Sequence, residues 1–176
     1  MAPGKETSPA KSLGSAPPPE PDAIDHVRGA GTTVIVYLDL TCPRCAATWE
    51  RIAGLPLRVC VRHFPVASRR PRAPALHAAA EAAALHSEDA FWAFWDSLLA
   101  DRARVDDPHL WERATRFGLD IERFDRDRRS AAVAARVRRD FRSGIRAGII
   151  ATPAGFVAGA PLGADLAAEL SALAGR

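Results

Sequence analysis

TVIVYLDLTCPRCAATWERIAGLPLRVCVRHF, residues 33–64, decides the fold. Its first six residues, Thr33–Leu38, are β-branched, aromatic or aliphatic without interruption, the composition of a strand covered on both faces. From Pro43 to about Gly54 the pattern becomes helical, with Ala46, Trp49, Ile52 and Ala53 on one face, proline at the first helical position and glycine at the stop. Leu57–Phe64 then alternates Leu57, Val59 and Val61 against Arg58, Cys60 and Arg62, which predicts a second strand. Strand, helix and strand make a right-handed βαβ unit with a parallel pair, the core of an α/β fold.

Downstream, between Pro74 and Ile149, the signals are entirely helical. Phe91, Phe94, Trp95, Leu98 and Leu99 form one wide apolar stripe, which is core packing. Further helices are predicted over Pro108–Phe117, from an N-cap at Asp120 through Phe124, and over Ser130–Ala147. After Gly148 the pattern reverts to a short strand at Gly155–Ala158, a turn at Gly159–Pro161 and a last helix bearing Leu166, Leu170 and Leu173. The prediction is a mixed sheet with flanking helices and an all-helical insertion, about 74–148, between the βαβ half and the C-terminal strand half. The folded domain spans 26–176. Residues 1–25 read as a disordered proline-rich arm, since six of the fourteen prolines precede Ile24 and little there is apolar.

The 176 residues carry 48% hydrophobic and 26% charged side chains, the balance of one soluble domain, and the net charge of +3 is mild. The densest basic stretch, Arg126–Arg146, reads as the solvated face of a helix, because Val133, Val137, Phe141 and Ile145 recur every fourth residue between the charges. No aromatic residues interleave with its arginines to stack on bases, so no nucleic acid partner is expected. Nowhere do some 18 apolar residues run together, so no membrane span is expected. The first 28 residues lack a signal-peptide core, which makes the cytoplasm the expected location.

Three cysteines exclude a disulfide-rich scaffold, and one close pair plus a distant third points to redox or metal chemistry. Cys42 and Cys45 lie three apart at a strand-to-helix junction, on one face of the first turn, where a reversible bridge fits. Pro43 at the first helical position makes Cys42 the N-cap, so helix amides and dipole, with Arg44 alongside, should lower its pKa. Cys42 is then the attacking, partly exposed sulfur and Cys45 the buried resolving one. A zinc site would need about four ligands, and no second CxxC or paired histidine follows. Cys60 and His63, the nearest candidates, lie on a core strand, so no metal is expected and Cys60 receives no catalytic role.

Several segments together resemble the DsbA-like thioredoxin-fold oxidoreductases: DHVRG at 25–29, VIVYLDLTCPRC at 34–45, VRHFPV at 61–66, FWAFWDSLL at 91–99, FGLDIERF at 117–124 and GIIATPAGFVAG at 148–159. The resemblance implies a thioredoxin fold and a thiol:disulfide oxidoreductase. It makes Pro153 a cis-proline whose loop lies against the cysteine pair, with the Thr152 backbone beside Cys42 for substrate pairing. It implies no cofactor beyond the redox-active Cys42–Cys45 disulfide. The partners it implies are protein or small thiol and disulfide substrates, with a separate reducing or oxidising partner. Two positions depart from the family. Many relatives carry a buried acid six residues before the first cysteine, where this chain has Val36. Asp39 either substitutes for it through water or is a surface carboxylate at a strand end. Small residues Ala154 and Gly155 follow the proline, which would open the substrate groove. Two rival functions stay open: a redox-sensing interaction module without turnover, and a thioredoxin-fold enzyme using a low-molecular-weight thiol on small molecules.

Overall fold

β2 (Thr32–Leu38) forms the spine of the molecule, flanked by partners on both edges. In the computed structural model, which describes residues 15–175, it pairs in parallel with β3 (Leu57–His63) and antiparallel with β4 (Ala154–Val157). β1 (His26–Arg28) adds antiparallel to β3, and β5 (Ala160–Pro161) to β4, giving the order β1-β3-β2-β4-β5. Helix α1 (Pro43–Ile52) makes the crossover from β2 to β3. Helices α2 (Ala73–Ala84), α3 (Glu88–Ala100), α4 (Asp107–Arg116), α5 (Ile121–Asp127) and α6 (Ala131–Arg146) form the insertion, and α7 (Leu166–Ala174) closes the chain. This is the expected thioredoxin architecture with its helical insertion. β1 and β5 are additions: three and two residues are too short to leave a periodic signal.

The alternation of β2 sorts its side chains between two cores. Val34, Val36 and Leu38 join Trp49, Ile52, Leu76, Phe91, Trp95 and Leu98 beneath α1, α2 and α3. Ile35 and Tyr37 face the other way, with Cys60, Phe64, Ile149 and Phe156. Both faces of β3 are therefore covered, and its polar side is not solvent-facing: Arg62 is 1% exposed. That guanidinium pairs with buried Asp25 at 2.8 Å and donates to the Pro19 carbonyl at 2.9 Å. The Ala16 amide in turn donates to the Arg146 carbonyl, so 16–25 lies bonded to the domain, where disorder was expected. A buried arginine needs carboxylate and carbonyl acceptors, and this segment supplies them. Residues 1–14 of the expected arm lie outside the described residues.

On α6 the predicted four-residue stripe holds at Val133 and Val137, but Ile145 is 52% exposed. Four residues turn 400°, so each step drifts some 40° around the helix and the third step leaves the buried face. Asp140, Ser143 and Gly144 occupy that face instead. Gly144 is there because a β-carbon would meet two ring carbons of Phe64 at 2.7 Å.

Candidate active site

The end of β2 delivers the chain into a turn in which each successive amide has a partner. Asp39 N–H donates to Cys45 Sγ at 3.4 Å, Leu40 N–H to His77 Nε2 at 3.2 Å, Thr41 N–H to Asp39 Oδ1 at 2.8 Å, and Cys42 N–H to the Asp39 carbonyl at 2.9 Å. Turns held this way present a side chain at a defined angle, because no backbone donor is free to pull the segment elsewhere. Cys42 is the N-cap of α1 with extended backbone, Pro43 follows in the first turn, and Cys45 sits one turn inside.

The three cysteines are free thiols. Cys42 is buried, 4% exposed, where a partly exposed sulfur was expected. The loop before β4 covers it: the Thr152 carbonyl oxygen lies 3.8 Å from Sγ, and the Thr152–Pro153 peptide is cis. The Cys45 thiol donates toward Cys42, and against the opposing effect of burial this bond, the Cys45 amide, Thr152 and the Arg44 amide bring Cys42 down to about 5. The same contact, reinforced by burial, pushes the Cys45 thiol far above its ordinary range. Arg44 thus contributes its amide at the helix N-terminus. Its side chain is exposed and lines, with Arg51, Pro153, Asp165 and Leu166, an open groove of about 440 Å³.

Asp39 is fully buried, which overturns the surface alternative. Burial would raise its pKa, but His77 beside it and the hydroxyl and amide of Thr41 outweigh that and hold it at about 2. Its second oxygen accepts the Val66 N–H at 3.0 Å, tying the β2 turn to the segment after β3. Val36 lies in the apolar core beneath α1. The small residue after Ala154 does not open the groove: a β-carbon on Gly155 would lie 2.3 Å from Leu166 Cδ1, so α7 already fills that space.

Sequence reasoning missed a buried set of polar groups that starts at His77. His77 Nδ1 is 2.6 Å from His63 Nδ1, His63 Nε2 is 2.7 Å from Glu81 Oε1, and His26 Nε2 is 3.0 Å from the same oxygen. His26 Nδ1 reaches Glu88 at 2.9 Å. A signal existed: in the alanine-rich α2, His77 and Glu81 are spaced i, i+4 on one face. His26, His63 and Glu81 bring ligand-type atoms within 4.8 Å, but those atoms are engaged with one another, and Arg136 Nε lies 3.8 Å from Glu81 Oε1, where it would repel a cation. Cys60, the other zinc candidate, faces the opposite core.

Among the described residues no helix is long and apolar enough to cross a membrane. The chain is 38% identical over 138 residues to a protein of Herminiimonas arsenicoxydans named Na(+)/H(+) antiporter NhaA, covering 73% of this chain and 21% of that protein. It spans about a fifth of the length of the antiporter relatives it matches. Its fold is similar to that of the thiol-disulfide exchange protein alpha-DsbA2 of Wolbachia pipientis, with TM-score 0.76, 16% identity and coverage of 88% of this chain and 87% of the other. A thioredoxin-like oxidoreductase of Silicibacter pomeroyi gives TM-score 0.76 at 22% identity, covering 88% and 92%. The DSBA-like thioredoxin domain family matches residues 33–173, which span the cysteine pair, the insertion and the cis-proline loop, and this chain belongs to that family.

Proposed function

We propose that the chain exchanges thiols and disulfides through Cys42 and Cys45. The observation that carries this is the geometry of the pair: Cys42 caps α1 against the cis Thr152–Pro153 loop with Cys45 one turn inside, and the hydrogen bond Cys45 gives brings Cys42 down to about 5 and pushes Cys45 far up. At neutral pH Cys42 is a thiolate and Cys45 holds its proton. The Cys42 thiolate attacks a substrate disulfide, one substrate sulfur leaves, and Cys45 then displaces the second from the mixed disulfide, losing its proton and closing the 42–45 bridge. Pro43 starts the helix whose amides stabilise the thiolate, Arg44 adds one such amide, and the Asp39 amide, donating to Cys45 Sγ at 3.4 Å, holds the resolving sulfur in place. Thr152 and Pro153 offer an extended edge beside the sulfur for a substrate strand.

Stabilising the reduced thiolate makes the bridged form a stronger oxidant. In a reducing cytoplasm, the location proposed for this chain, the pair stands as dithiol and works as a reductase or exchange catalyst. Protein or small-molecule disulfides are the substrates and a separate thiol or disulfide partner resets the pair. Equilibrating the protein and its Cys42→Ser variant in graded thiol–disulfide buffers, alkylating free thiols and locating the bridge by peptide mass tests the reading. A reversible 42–45 bridge with a two-electron midpoint is expected. Thiols that stay unbridged across the range, or are protected until a chelator is added, sink it.

A further inference from the structure

We infer that Arg44 is the specificity-determining residue of the cysteine pair. Its guanidinium receives a carboxylate carried beside the cysteine of an extended peptide, so acidic protein segments are the preferred disulfide partners. The inference rests on the exchange reading of Cys42 and Cys45 and names the substrate class of that site.

Helix α1 has one buried face and one open face. Cys45, Trp49 and Ile52 point into the core, while Arg44, Ala47, Thr48 and Arg51, at offsets 0, 3, 4 and 7, share the open face. Together with Pro153 and Asp165 they line the groove of about 440 Å³ that runs from the cis-proline beside Cys42 to the first turn of α7. From Arg44 to Arg51 the helix rises about 10 Å, room for about three extended residues of a substrate.

The two ends of this groove differ in charge. At the far end Arg51 Nη1 lies 3.6 Å from Asp165 Oδ1, an exposed pair whose charges largely cancel. At the near end Arg44 is exposed, and among the described residues it forms no ion pair. Glu50, the only acid of α1, lies on the opposite flank, where it lines a second groove with Asp96 and Arg102. A substrate lying along the open face therefore meets an uncompensated cation next to the reacting sulfur.

The Cys42 thiolate by itself would favour cationic peptides. Its sulfur, however, is 4% exposed and its charge is met by the Cys45 thiol and the helix amides. The Arg44 guanidinium stands in the groove itself, within reach of an arriving carboxylate, so its attraction outweighs the repulsion from the sulfur. The occupant is a peptide because the edge on the other side of the sulfur is apolar: Ile150, two residues before Thr152, is 99% exposed. A segment that pairs with the Thr152 backbone runs past Ile150 and covers it, which a small hydrophilic disulfide does not.

The test uses seven-residue peptides whose central cysteine is blocked as its 2-pyridyl disulfide and flanked on both sides by Glu, by Gln or by Lys. The Cys42 thiolate of the reduced protein displaces pyridinethione, whose absorbance is followed. Cys45 then bonds to Cys42, the peptide leaves, and the Cys45 proton ends on the peptide thiol. At about 0.01 M salt we expect the Glu peptide to react about tenfold faster than the Lys peptide, and at about 1 M salt within about twofold of it. Arg44→Gln should bring the low-salt ratio to about two or below. Asp165→Asn keeps an N-cap for α7 and frees Arg51, so the ratio should rise about twofold. Arg142→Gln removes the same charge from the exposed side of α6, outside the groove, and should leave the ratio within about twofold of wild type.

A ratio unchanged by Arg44→Gln overturns the inference, as does an equal fall in Arg142→Gln, which would make net charge the cause, or a fall in Asp165→Asn. The 2-pyridyl disulfide of glutathione separates the two sources of a carboxylate: if Arg44→Gln slows it as much as the Glu peptide, Arg44 reads a small thiol and the peptide assignment is overturned. Failure to release pyridinethione from every peptide would instead sink the exchange reading itself.

Discussion

Cys42 and Cys60 are both buried, and their sulfurs behave in opposite ways. Cys42 falls to about 5, while burial, aided by the negative charge of Asp25, pushes Cys60 up to about 12. The difference lies in the donors. Cys42 stands at a helix N-terminus among a thiol and two amides, whereas Cys60 sits mid-strand among Ile35, Tyr37, Phe64 and Phe156. Its own amide is already committed to the sheet. Burial alone therefore makes a thiol inert, and burial with converging hydrogen bonds makes one reactive.

The sharpest way to break this comparison is to remove each sulfur in turn. Cys42→Ser is expected to lower disulfide exchange by about a thousandfold or more, in line with loss of a covalent nucleophile, while Cys60→Ser leaves the rate within about twofold. Initial rates with a glutathionylated peptide measure both, and equal losses would mean the two sites are not distinct.

Asp39→Ala should cost about 2 kcal/mol of unfolding free energy, because it leaves the half-buried amides of Thr41 and Val66 without their acceptor. Denaturant titration measures it. The Asp39 pKa is depressed, so the carboxylate's contribution is complete above its ordinary value of 3.8 and is lost as pH falls through about 2. Wild type should thus lose more stability than the variant below pH 4.

Ionisation gives a smaller effect with a definite sign. Because the Cys42 pKa is lowered from 9.0 to about 5, its thiolate stabilises the folded reduced protein fully above pH 9 and not at all once the pH has fallen well below 5. Between pH 5 and 8 the melting temperature of the reduced form should rise relative to the bridged form, a gap that a Cys42→Ser protein lacks. Over the same range the rate of Cys42 alkylation should level off above about pH 6, with Cys60 unmodified until the protein unfolds.

Arg44→Ala should shift the Cys42 alkylation midpoint least, by about half a pH unit or less, since the exposed guanidinium is screened and the amide remains. A shift beyond one unit would restore the side-chain charge to the explanation.

What the sequence by itself determined is what neighbouring residues impose on one another. The CPRC pair at a strand-to-helix junction, the β2–α1–β3 crossover, the helix N-cap at Asp120 and the long helix that follows Ser130 are local patterns, and the structure has each of them. The parity of β3 even put His63 on the same side as Val59 and Val61. The sequence had no means of saying which polar residues would be enclosed. Asp39 is buried because the Val66 segment folds over it, and Arg62 because 16–25 returns across the sheet. Gly155 is small because Leu166 of α7 occupies its space, and Cys42 is covered by a loop 110 residues away. His26, His63, His77 and Glu81 meet across β1, β3 and α2, spacings of up to 55 residues. Hydrogen bonds between such distant groups depend on how packed elements align, and packing is driven by apolar area, which leaves polar partners to be matched only once the fold has closed.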